Sequence, residues 1–112
     1  MSEPAGTGSV RTLLRMRTRP GCEQEFVAAW RSAAEEISRL PGNVRQDLHR
    51  DADDPRTFLI LSEWTDRARL DAFGRSEQRD RLMAVVRELR ESAERSTYHV
   101  LHSVPARERQ PR

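Results

Sequence analysis

A chain of 112 residues, 36% hydrophobic and 34% charged, suffices for one domain with a thin core, so pairing with a second copy would bury apolar surface that a monomer exposes. The formal charge of +2 arises from Arg without any Lys, and Arg alternates with Asp and Glu instead of forming a single-signed stripe, which argues against a nucleic-acid partner. One cysteine, Cys22, excludes an internal disulfide and points to the cytoplasm, and no apolar run is long enough for a membrane span.

The opening MSEPAGTGS lacks the basic-then-apolar order of a signal peptide, so residues 1–9 read as a flexible lead-in. Val10–Thr18 alternates, with Val10, Thr12, Leu14 and Met16 on one face, as a half-buried strand does. A Pro20–Gly21 turn follows. Phe26, Trp30, Ala33, Ala34 and Ile37 then recur at helical spacing, and Pro41–Gly42 ends that amphipathic helix. Asn43–Arg50 alternates again, placing Val44, Gln46 and Leu48 on one side. DADDP makes a hairpin turn, and Arg56–Trp64 is the most apolar strand, with Phe58, Ile60, Ser62 and Trp64 on one face and Leu59 and Leu61 on the other.

Asp66 has the chemistry to cap a short helix that turns Leu70 and Phe73 inward. Ser76 caps a longer one whose buried stripe is Leu82, Val85, Val86, Leu89 and Ala93, and Thr97–Val104 alternates as the last strand. The order β-α-β-β-α-α-β predicts an α+β, ferredoxin-like split βαβ fold over residues 10–104: a four-stranded antiparallel sheet with helices on one face, followed by a disordered basic tail at 105–112. The other sheet face, with Leu13, Leu59, Leu61 and Leu101, needs a cover, which a second sheet in a homodimer would provide.

Three stretches, RPGCEQEF…W, LPGNVRQDLHRDADDPRTFLILSEWTD and LDAF…S, resemble the antibiotic biosynthesis monooxygenase family of dimeric α+β barrels, and the resemblance spans Val10 to Val104. Within that family the sequence is most similar to small oxygenases that form quinones from polyketide anthrones. The resemblance implies a monooxygenase without metal or flavin, acting with molecular oxygen on a small aromatic polyketide or quinol whose ionised form passes an electron to oxygen. The protein would supply a dry pocket and hydrogen bonds to the developing oxyanion. Trp64 matches the family's tryptophan, and its indole N–H is a donor only. Leu14 and Ile60 stand where such oxygenases carry Asn, and Phe73 or Gly74 where other relatives carry His.

The candidate site is therefore Trp64 as the catalytic residue, Leu14, Met16, Ile60 and Phe73 as apolar walls, and Gln46, Ser62 or Arg87 as polar contacts. Trp64 has a second reading, a core aromatic whose N–H finds an internal partner. His49 beside Asp47 reads as a polar rim or a tuned base, and Tyr98 with His102 as a pair on the last strand. Arg81 flanks the last helix's apolar stripe, as Arg87 does. His99 and His102 lack a third ligand for a metal. Two alternatives share the fold: a non-redox binding or cyclase-like accessory protein, and an oxygenase fed reduced flavin. All three readings require an enclosed apolar hollow between the helices and the sheet.

Overall fold

The computed structural model describes residues 9–107; the expected lead-in up to residue 8 and the tail from residue 108 lie outside the described residues. The elements are β1 (Val10–Thr18), α1 (Glu23–Ile37), β2 (Asn43–Arg50), β3 (Thr57–Trp64), α2 (Arg67–Gly74), α3 (Glu77–Leu89) and β4 (Arg90–His99). The strands form one antiparallel sheet in the order β2-β3-β1-β4, with the helices on one face. No helix among the described residues is long and apolar enough to cross a membrane.

Local chemistry starts helices α2 and α3 where the sequence suggests. Asp66 accepts a hydrogen bond from the Arg69 N–H at the start of α2, and Ser76 accepts one from the Arg79 N–H at the start of α3. Helix α1 has no side-chain cap, but Glu23 and Glu25 in its first turn complement the helix dipole. Gly42 has φ of 87°, and a Cβ there would stand 2.5 Å from the Cγ of Arg69, so both backbone and packing require glycine at this turn.

The alternation puts Val10, Thr12, Met16, Phe58, Ile60, Ser62 and Trp64 under the helices, all of them buried. Phe26, Ile37, Leu70, Phe73, Leu82, Val86 and Leu89 come down from the helices to complete the core. Phe26 packs on Phe58 with ring centroids 5.1 Å apart, and Phe73 stacks on Trp64 at 4.8 Å. On the uncovered face Leu13, Leu59 and Leu61 stay half-buried, beside an Arg11–Glu63 ion pair of 3.2 Å.

Four expectations need correction. Helix α3 ends at Leu89, so Ala93 belongs to β4 and not to the helical stripe. The last strand begins at Arg90, because the free edge of β1 captures the chain there: Arg19 N–H donates to the Leu89 carbonyl, and the register then runs from Thr18–Arg90 to Val10–His99. Pairing along that whole edge outweighs the local helical preference of ELRESAER. Val100 to Arg107 has no regular structure, which takes Leu101 off the uncovered face; it is 74% exposed. Finally, a register shift between Asn43 and Arg45 turns Val44 outward, while Gln46 and Leu48 point under the helices as expected.

Candidate functional site

The hollow exists, and it is narrow. It encloses about 40 Å³ between the sheet and the three helices, whereas pockets for drug-sized ligands typically measure about 300–1,000 Å³. Leu14 from β1, Ile60 from β3, Ile37 from α1, Phe73 from α2, and Leu82 and Met83 from α3 supply apolar wall. Thr12, Ser62, Gln46, Arg79 and Arg95 supply the polar part. Among the described residues no carboxylate or histidine lines it, and no group of three metal-ligating side chains occurs anywhere.

Trp64 stands one row behind this wall, opposite Val10, and is fully buried. Its indole N–H donates to Ser62 Oγ at 2.9 Å, and Ser62 Oγ lies 2.9 Å from Thr12 Oγ1 on the adjacent strand. Three hydrogens, one on the indole and two on the hydroxyls, thus serve two bonds. One hydroxyl hydrogen is left over, and both hydroxyls border the hollow. Whichever way the Ser–Thr bond is oriented, the pair can present one donor to a guest, held in place by Trp64.

Gln46 spends an amide N–H on the Ala34 carbonyl at 2.8 Å, tying β2 to α1 at the rim. Arg79, in the first turn of α3, has a buried Nε with no hydrogen-bond acceptor among the described residues. Arg95 projects from β4 in the row of Leu14 and Ile60. Removal from water, reinforced by the positive charge of Arg79, holds the Arg95 guanidinium below its ordinary range. Arg95 also borders an open groove of about 510 Å³ between α2 and β4, with Arg67, Leu70, Asp71, Gly74 and Arg75. It therefore stands between the hollow and the groove.

Of the expected site residues, Leu14, Gln46, Ile60, Ser62 and Phe73 meet at the hollow. Met16 does not: it is buried one row further along β1, opposite Phe58 and Ala93. Arg87 is also absent from the wall, because it lies in the last turn of α3 with its side exposed. Arg81 points outward and pairs with Glu36. His49 and Tyr98 belong to the opposite sheet face, and His102 lies beyond β4, so neither expected pair reaches the hollow.

Thr12, Arg79 and Arg95 were missed. For two of them a signal existed: Thr12 shares the alternating face of Leu14, and Arg79 precedes Leu82 and Val86 by three and seven residues on the same helical stripe.

The family model described as antibiotic biosynthesis monooxygenase matches residues 9–85. Over 69 residues the chain is 30% identical to a 42.8 kDa protein in the whiE locus of Streptomyces coelicolor, a stretch that is 62% of this chain and 17% of that protein. Over 95 residues it is 28% identical to protein SchA of Streptomyces halstedii, 85% of this chain and 24% of that protein. The chain thus matches about a quarter or less of the length of these relatives. In fold it is similar to SnoaB of Streptomyces nogalater, a cofactor-independent oxygenase, with a TM-score of 0.78 and 21% identity over 88% of this chain and 99% of that one. A conserved protein from Methanosarcina mazei Go1 gives a TM-score of 0.78 at 22% identity, over 85% and 95% of the two chains.

Proposed function

Since the chain belongs to the antibiotic biosynthesis monooxygenase family, we propose that it is a cofactor-independent monooxygenase acting on an aromatic polyketide or quinol-type substrate. The observation that carries this reading is an apolar hollow with one spare hydroxyl donor at its wall, positioned by a buried tryptophan. In the reaction a ring CH2 of the ionised substrate meets molecular oxygen. One oxygen atom becomes the new carbonyl, and the other leaves as water with the two hydrogens. Ser62 or Thr12 donates to the oxygen on which negative charge develops, in a setting poor in water where such a bond is strongest. Trp64 is in this account a positioning residue, because its own N–H is spent on Ser62.

A multi-ring guest needs more room than the hollow encloses, and in this reading it is made by movement of the flexible side chains of Met83 and of Arg95, which also borders the groove between α2 and β4. The domain is residues 10–104, and Leu13, Leu59 and Leu61 face their counterparts in a homodimer.

The test is oxygen uptake with 1,8-dihydroxyanthrone and no added metal or flavin. Uptake should exceed spontaneous oxidation. Each of Thr12→Val and Ser62→Ala leaves one hydroxyl, so only the double variant should fall, by roughly a hundredfold, the usual cost of one oxyanion donor. The non-redox accessory reading gains from Leu14, Ile60 and Phe73 being apolar and from the internal bond of Trp64. Binding of the anthrone without uptake above background would decide for it, and uptake only with supplied reduced flavin would decide for a flavin-assisted enzyme.

A further inference from the structure

Among the described residues five arginines pair with an acid. Arg11 pairs with Glu63, Arg17 and Arg56 share Glu91, Arg67 reaches Asp71, and Arg81 reaches Glu36. Arg79 and Arg95 are not among them, and what sets these two apart is their place: both line the hollow, Arg79 has a buried Nε without an acceptor among the described residues, and each lies within the electrostatic reach of the other. They come from different elements, α3 and β4, and converge only at this wall. The acids nearest in sequence, Glu77 and Asp80 beside Arg79 and Glu94 beside Arg95, are all exposed. Two like charges gathered at a partly dehydrated wall repel one another and favour an anion between them.

We propose that Arg79 and Arg95 receive an anionic oxygen of the guest, a carboxylate or a phenolate, so that the site selects ionised aromatic molecules. This rests on the hollow being the binding site and adds the charge of its ligand. Guanidinium groups suit this role because they stay charged at any relevant pH and present fixed pairs of N–H donors to an anionic oxygen. Arg95, which borders both the groove and the hollow, meets the anion first, and Arg79 holds it at depth. The same two charges favour the ionised form of a bound phenol, and the wall contains no carboxylate or histidine to take the proton, which leaves to water through the groove.

Binding of redox-inert probes tests this without any turnover. The probes are anthraquinone-2-carboxylate, its neutral primary amide, and 2-hydroxyanthraquinone titrated through its own ionisation, each followed by quenching of tryptophan fluorescence. The wild-type chain should bind the carboxylate about tenfold or more tightly than the amide, as charge-assisted hydrogen bonds warrant. Arg79→Gln and Arg95→Gln should each shrink that ratio, chiefly by weakening the carboxylate, Arg95→Lys should retain part of it, and the exposed Arg39→Gln should retain all of it. A preference for the carboxylate, for the phenolate, or for both supports the pair and identifies the source of the anion. Equal binding of carboxylate and amide, or a ratio that survives both glutamine substitutions, overturns the inference and leaves the hollow as a site. Absence of binding by any probe overturns the hollow itself. If Arg79→Gln does not fold, Arg95→Gln, at an exposed strand position, decides alone.

Discussion

The bond between Trp64 and Ser62 can be isolated by a double-mutant cycle. Ser62→Ala removes the only acceptor among the described residues for a fully buried indole N–H, and also the hydroxyl partner of Thr12. An orphaned buried donor costs about 1–3 kcal/mol and a lost ordinary hydrogen bond about 1 kcal/mol, so the variant should lose about 3 kcal/mol. For a domain of this size that lowers Tm by roughly 12 °C. Trp64→Phe removes the donor but leaves a void beneath Phe73, so it also destabilises, by about 2 kcal/mol, and is not a clean probe of activity alone. Once Trp64→Phe is in place, adding Ser62→Ala should cost only about 1 kcal/mol, giving a coupling near 2 kcal/mol. Urea denaturation of the four proteins measures it. Equal costs of Ser62→Ala in both backgrounds would mean that the indole does not depend on Ser62, and the hydrogen count behind the spare donor would fail.

Gly21 and Gly42 both have positive φ, but only Gly42 faces a side chain, so Gly21→Ala should cost about 1 kcal/mol and Gly42→Ala distinctly more, an excess that Arg69→Ala relieves only in part because the Cβ of residue 69 remains 2.6 Å away; urea midpoints report this. Asp54 accepts hydrogen bonds from the Thr57 hydroxyl and the Arg56 backbone, with Arg17 nearby, and these hold its carboxyl below the ordinary 3.8. A depressed folded value means stability that is present above pH 3.8 and lost as pH falls through the lower folded value, so thermal melts at pH 2 to 5 should show a shallower acid loss in Asp54→Asn. Leu13→Glu, placed at the centre of the uncovered sheet face, should yield a folded monomer by light scattering if that face joins two copies, and an unchanged mass would reject the pairing.

Much of the fold was legible because side chains in a strand point alternately to opposite faces. That period suffices to gather Leu14, Ile60 and Ser62 under the helices, and short-range chemistry suffices to place the caps Asp66 and Ser76. Trp64's two readings could not be separated that way, since the acceptor of its N–H is decided by how one side chain turns toward its neighbour two residues back. Arg87 was expected at the site from its place beside the apolar stripe, and a fraction of a helical turn put it in solvent instead.

The order of amino acids thus carried what is periodic and local: which faces are buried, where helices start, and that one sheet face lacks a cover. Where α3 gives way to β4 was settled only by packing in three dimensions, because residues Arg90 to His99 carry almost no apolar signal and become a strand only by pairing with β1, more than seventy residues earlier in the chain. That same long-range pairing brings Arg95 across from Leu14 and toward Arg79. Their meeting depends on two elements docking on one sheet, and no spacing along the chain encodes a distance between elements that are joined only through a third.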